Sequence, residues 1–326
     1  MSVTVLKPGL ETTVQEYPGR RNMLRDGVPP SGPLDDWSFR LANLLVGNEA
    51  GAAALECQFL GPTLRFDAPA LISVCGGDLS ATLDGAPLPL WTGVKVLAGQ
   101  TLSFGAPRLG ARAYVAIAGG VDAPPVMGSR ATYVTASLGG IDGGPLKAGQ
   151  IIPIGEPALA ARPGRVARTD RRPPIPSSKA HRISVVPGPK NDWITAAGCE
   201  RFYGATWKLT SRSNRVGFRI EGGGIEFSRK AFEKDPENGD HPSNIIDIGY
   251  PIGGINWAGE SPIILMHDCI TLGGFIIPFT VPSGEFWKLA QMKPWETIHF
   301  FPTLVEDAQQ ARRKIDAVCS PGAIEG

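Results

Sequence analysis

The strongest constraint on this chain is the spacing of its structure breakers. Its 326 residues carry 41 glycines and 30 prolines, so apolar runs are short and few segments can sustain a helix. The first half holds "LISVCGG", "LSATLDG", "VKVLAGQTLSFG" and "ARAYVAIAGG"; the second holds "RISVVPGP", "GFRIEGGGIEF", "PIILMHD", "FIIPFTV" and "TIHFFPTL". Each is strand-like in length and in β-branched content, and glycine or proline turns divide them. Strands do not alternate with helices. The predicted class is therefore mostly β with a few helices, each half a barrel or sandwich. One helix is clear: Asp35 or Asp36 caps "WSFRLANLLVGN", Phe39, Leu41, Leu44 and Leu45 form its apolar stripe, and Gly47-Asn48 ends it. A second, "VEDAQQARRKIDAVC", closes the chain, with Ile315 and Val318 among its few apolar positions.

One compositional break divides these halves. Residues 157–182, "PALAARPGRVARTDRRPPIPSSKAHR", are rich in proline and arginine with the single acid Asp170. Prolines fix dihedrals and remove donors, so the segment is expected to be an extended, solvated linker rather than a sheet strand. The expected organisation is a β-rich half at 1–156, that linker, and a β-rich half with its terminal helix at 183–326.

Composition excludes several functions. A net charge of +1 gives no general attraction to nucleic acid or an anionic membrane. No apolar stretch reaches the ~20 residues of a membrane helix, and the N-terminus lacks a secretory apolar region. Cys57, Cys75, Cys199, Cys269 and Cys319 are scattered without paired spacing, which reads as reduced thiols in a cytoplasmic protein. GxxxxGK[ST], GxSxG, HExxH and a strand-GxGxxG-helix unit are all missing, and the four histidines have no metal-ligand spacing, so no metal is expected. "GGIDGGPLKAG" at 139–149 carries Lys147 but lacks the following Ser/Thr and helix, and reads as a β-turn region.

Three stretches carry candidate chemistry. In "GVPPSGPLDD", Ser31, Asp35 and Asp36 can cap the following helix, and Ser31 with the helix amides can also face an anion such as a carboxylate. Arg40, on an otherwise apolar helix face, needs a carboxylate partner if buried, and Glu56 is the expected one. In "SNRVGFRIEG", Arg215, Gly217 and Arg219 share one face if the segment is a strand. Gly217 would then leave room between two guanidiniums, which suits a planar carboxylate, carbamate or ureido oxygen; a salt-bridged surface strand reads equally well. In "HPSNIIDIGYPIGGINWAGESPIILMHDCITLGGF", Asp268 ends a strand ahead of the Gly273-Gly274 turn, where backbone can approach a ligand closely. A turn cap and a catalytic acid are the two readings of Asp268. His241 lies in a polar, proline-held turn, and His267 is expected to point away from Asp268 in a structural role.

The ordered blocks "PGLETTVQEYPGR", "GVPPSGPLDDWSFRLANLLVGNEAGAAALEC", "GPTLRF", "ATLDGAPLPLW", "AYVAIAGGVDAPPVMGSRATY", "SNRVGFRIEG", "HPSNIIDIGYPIGGINWAGESPIIL" and "WKLAQMKP" resemble the carboxyltransferase-type family also called allophanate hydrolase subunit 2-like. Over roughly 5–305 they look most similar to the carboxyltransferase region of urea carboxylase, with the 5-oxoprolinase C component as a related branch; Thr271 agrees with that branch, Leu272 and Phe275 with the first. The resemblance implies two cyclophilin-like β-barrel halves and a subunit 1-like companion protein. It also implies transfer of a carboxyl group from carboxybiotin to an amide nitrogen of urea or a similar compound. "QMKPWE" is not a biotin attachment turn, so biotin would arrive on a separate carrier, with a biotin carboxylase as a further partner and ATP used by a partner. Asp268 would then be the base or orienting acid with His241 as its substitute. Asn214, Arg215, Arg219, Ser243, Asn244, Gly273, Gly274 and Ser31 would hold the substrate. Two alternatives stand beside this: the C component of an ATP-dependent 5-oxoprolinase-type hydrolase, and a non-catalytic regulatory partner of a subunit 1-like protein.

Overall fold

The structure, a computed structural model, describes residues 1–159 and 161–326. The chain is mostly β and divides into two compact units: residues 1–21, 30–177 and 315–326 form the first, residues 22–29 and 178–314 the second.

The first unit opens with β1 (Ser2–Lys7) and β2 (Glu11–Gln15), then β3 (Ala54–Gln58), β4 (Thr63–Phe66), β5 (Ala70–Asp78), β6 (Thr82–Leu83) and β7 (Ala86–Pro87). It continues with β8 (Val94–Val96), β9 (Thr101–Ser103), β10 (Leu109–Ile117) and β11 (Ile151–Pro153). They form a six-stranded sheet, β11-β1-β4-β9-β6-β7, and a five-stranded sheet, β2-β3-β10-β5-β8. Alternation sets what each face covers. On β10, Ala113, Val115 and Ile117 join Val3, Val5, Leu64 and Phe66 of the other sheet in one core. Tyr114 and Ala116 point the opposite way and pack under helix α1 (Asp36–Leu45) with Phe39, Leu41 and Leu45. Asp35 caps α1, its carboxylate accepting from Ser38 N at 3.0 Å and Ser38 Oγ at 2.6 Å.

The expected linker is not uniformly extended. Its β12 (Val166–Ala167) pairs with Ile324–Glu325 near the chain end, a 3-10 turn covers Thr169–Arg171, and a barrel strand starts at Ala180. Its arginines find partners within the first unit: Arg172 donates twice to Ala167 O and lies over the Trp91 ring, and Arg168 pairs with Asp170. The strand that pairs with β12 lies nearly 160 residues further along the chain, out of reach of a local reading of proline content.

The second unit contains β13 (Ala180–Pro187), β14 (Trp207–Leu209), β15 (Gly217–Glu221), β16 (Asn244–Gly249), β17 (Gly254–Ala258) and β18 (Ser261–Leu265). After them come β19 (Leu272–Phe275), β20 (Phe279–Thr280) and β21 (Thr297–Pro302). Seven close a barrel in the order β13-β20-β17-β18-β15-β14-β21, and β16 with β19 makes a separate two-stranded sheet. Helix α2 (Ala196–Gly204) supplies Phe202, whose ring stacks on Phe279 at 3.9 Å and Phe300 at 4.9 Å beside Trp207 and Trp257. This aromatic plug fills the barrel, so its interior is core rather than a ligand cavity. Among the described residues no helix is long and apolar enough to cross a membrane.

Candidate functional site

The second unit places most candidate residues around one strand, β18. At its C-terminal end Met266 and Cys269 are buried, and the chain turns at His267-Asp268. Asp268 is 2% exposed and holds Arg215, itself 3% exposed, in a two-point ion pair: Nε to Oδ2 at 3.0 Å and Nη2 to Oδ1 at 3.3 Å. Asp268 N also donates to Arg215 O at 3.0 Å. Buried charges of this kind persist only when paired and hydrogen-bonded. Both Asp268 oxygens are thus turned to the Arg215 guanidinium rather than open at the strand end. His267 packs edge-on against Phe286 at 5.2 Å.

The expected arginine fork does not form. Asn214 Oδ1 accepts from Val216 N at 2.9 Å and Gly217 N at 3.3 Å, an Asx turn that delays β15 until Gly217. Arg215 therefore precedes the strand and shares no strand face with Arg219. Nor does Gly217 leave room: a Cβ there would lie 2.6 Å from Ile263 Cγ2. Arg219, half-buried, donates from Nη1 to Arg212 O at 2.9 Å.

The other end of β18 is different. The turn between β17 and β18 carries Glu260, and His241 stands beside it with Nε2 3.4 Å from Glu260 Oε1. His241 Nδ1 lies 2.8 Å from Ser243 Oγ and accepts from Ser243 N at 3.1 Å. Ser243 Oγ also accepts from Gly259 N at 3.2 Å. Lys234 Nζ donates to His241 O and Asn244 O, and Phe227 meets the imidazole edge-on at 5.9 Å. Since β18 is 5 residues long, the two ends stand roughly 17 Å apart at ~3.4 Å per residue. Asp268 and His241 are thus not brought together, and His241 cannot stand in for Asp268 at one reacting atom.

Between the two ends runs β19. Asn244 pairs with Phe275 and Ile248 with Gly273, with a register shift between them. Tyr250 sits beneath, its Oη accepting from Phe275 N at 2.8 Å. Burial raises its phenol pKa; the hydrogen bonds to Phe275 and Asn256 act against that shift. A Cβ on Gly273 would lie 2.8 Å from the Tyr250 ring, and one on Gly274 3.0 Å from Asp247 Oδ1. These glycines are filled by the protein itself. Tyr250 and Glu260 lie within the quoted stretch from His241 to Phe275 but have no role in its sequence reading, because strand pairing is what brings them to β19 and His241.

Ser31 belongs to the first unit. It adopts φ 56°, is fully buried, and its Oγ has no hydrogen-bond partner among the described residues. Of the helix-start amides, Ser38 N donates to Asp35 Oδ1 at 3.0 Å, and just ahead of the helix Leu34 N donates to Glu56 Oε2 and Asp35 N to Tyr114 Oη, each at 2.8 Å. Glu56 thereby lies under the start of α1 with Tyr114 and Arg112, more than a turn before Arg40. Arg40 pairs instead with Asp316 at 2.7 Å and Asp36 at 3.4 Å.

Residues 26–302 match the family described as carboxyltransferase domain, subdomain A and B. The chain belongs to that family. Within it, the chain is 38% identical over 322 residues to urea amidolyase of Lachancea kluyveri, a match covering 96% of this chain and 17% of that protein. It is 32% identical to the C component of 5-oxoprolinase from Escherichia coli K12, over 95% of this chain and 94% of that one. The crystal structure of Kluyveromyces lactis urea carboxylase superposes with a TM-score of 0.92 at 37% identity, covering 99% of this chain and 29% of that one. The chain therefore spans less than a third of the urea-acting relatives and nearly all of the 5-oxoprolinase relative.

Proposed function

We propose that this carboxyltransferase-family chain is the component of a multi-subunit enzyme that transfers a carboxyl group from carboxybiotin, on a separate carrier, to an amide nitrogen of urea or a urea-like compound. The observation that carries this reading is the likeness, over nearly all of this chain, to a region of urea amidolyase and of urea carboxylase, at 38% and 37% identity. Biotin, when carboxylated, supplies the activated carboxyl group. The donors present suit its oxygens: Arg219, half-buried beside β18, carries N–H groups that match ureido and carboxylate acceptors, and His241 carries one that matches a neutral ureido or amide oxygen. Asp268 acts as the orienting acid, holding Arg215, because both its oxygens are engaged. Ser243 and Asn244 hold the His241 turn, and Gly273-Gly274 lets β19 lie against Tyr250. A subunit 1-like companion, a biotin carboxylase that uses ATP and the carrier complete the system. The second reading, a component of a 5-oxoprolinase-type hydrolase, is favoured by one observation: the match covers 95% of this chain and 94% of that relative.

The test is reconstitution. The chain is co-expressed with its companion and mixed with a carrier charged from 13C-bicarbonate. Urea-dependent movement of label from carrier to a soluble product is expected, and Arg219→Ala should slow it about tenfold or more while leaving the fold intact. Ring-opening of 5-oxoproline with ATP and no carrier would replace this reading with the second.

A further inference from the structure

We propose that His241 and Glu260 form a donor–acceptor pair that reads the edge of a neutral primary amide or urea, a refinement that rests on the amide-directed reading above. The tautomer follows from the hydrogen bonds. Ser243 N is a donor under all conditions and points at His241 Nδ1 at 3.1 Å, so that nitrogen carries its lone pair. Ser243 Oγ, 2.8 Å from the same nitrogen, donates to it as well and takes its own acceptor bond from Gly259 N. The proton of the neutral ring is therefore on Nε2, facing Glu260 Oε1 at 3.4 Å. Two backbone anchors from Lys234 and the edge contact with Phe227 hold the ring in place.

The Nε2–Glu260 link is the loose member of this set. It is long, and the side chains are 36% and 87% exposed, so it contributes little and opens readily. What it presents is an N–H donor beside a carboxylate acceptor. An amide or urea edge offers the complement, a carbonyl oxygen next to an N–H, and can bridge the two. A carboxylate has no N–H to give and meets the charge of Glu260, so the pair discriminates against it. Nδ1 is fully used, and His241 therefore serves as a hydrogen-bond donor and not as a base.

The experiment uses the full chain labelled with 15N-histidine and long-range 1H–15N NMR of the imidazoles. The free protein should show unprotonated Nδ1 and protonated Nε2 for His241. Acetamide should shift the Nε2 resonance, and acetate should not. His241→Gln, whose amide nitrogen reaches the Nε2 position, should keep acetamide binding within about tenfold, while His241→Asn, which reaches only the Nδ1 position, should weaken it about tenfold. Glu260→Ala should weaken acetamide and let acetate bind. A protonated Nδ1, equal binding of acetate and acetamide, or unchanged acetamide affinity in His241→Asn would each overturn the proposal. Loss of label transfer in the reconstituted system with acetamide recognition intact would remove the carboxylase reading and leave this one standing.

Discussion

The two ends of β18 carry the same elementary pairing, a cation or imidazole with a carboxylate, and treat it in opposite ways. At the C-terminal end Arg215 and Asp268 are 3% and 2% exposed and locked at two points. At the N-terminal end His241 and Glu260 are held by one long contact, with the carboxylate almost entirely in water. Burial decides the difference. A pair removed from water cannot exchange partners without exposing a bare charge, whereas an exposed pair can trade its partner for a ligand at little cost. The buried pair is fixed, and the exposed pair is the one proposed to exchange its partner for a ligand.

The largest expected effect breaks the buried end. Asp268→Ala leaves Arg215 without its carboxylate and should destabilise the protein by about 3–5 kcal/mol, read as a lower midpoint in guanidinium chloride. Glu260→Ala, its counterpart, should move the same midpoint by less than about 0.5 kcal/mol. Between the ends, Gly273→Ala places a Cβ 2.8 Å from the Tyr250 ring and should cost about 1–3 kcal/mol; a parent-like midpoint would mean that β19 is not clamped. Another buried carboxylate, Glu296, sharpens the comparison by pH. Burial pushes its pKa up, but the His181 hydrogen bond at 2.8 Å, the Lys293 amide and nearby positive charge leave it below the usual 4.5. A depressed carboxylate stabilises the fold above its unfolded pKa and loses that contribution as pH falls through the folded value. The stability gap between the parent and Glu296→Gln should therefore be present near neutrality and shrink in acid. A small effect is also expected at Asp316, 45% exposed beside Arg40: Asp316→Asn should change stability by at most ~1 kcal/mol.

What is legible in the sequence is local. Glycine and proline spacing marks the short strands, and Asp35, the apolar stripe and Gly47 mark α1, because caps and periodicity act within a few residues. What is not legible depends on distant partners. Arg215 meets Asp268 across 53 residues, and Glu260 meets His241 across 19. The strand phase expected for Arg215 fails because the Asn214 side chain, one residue away, replaces ladder bonds with a turn. Glu56 is the partner expected for Arg40, yet strand pairing puts Glu56 opposite Tyr114, and Arg40 pairs with the more local Asp36 and the distant Asp316.

The central claim is that the buried end supports and the open end recognises. Its most direct test measures Asp268→Asn and His241→Asn side by side, for guanidinium stability and for label transfer in the reconstituted system. Asp268→Asn should lose several kcal/mol of stability, on the order of a broken buried pair. His241→Asn should unfold at the parent midpoint while transfer falls about tenfold. Parent-like stability in Asp268→Asn together with a ~100-fold loss of transfer, the signature of a lost general base, would contradict the account and make Asp268 the catalytic group.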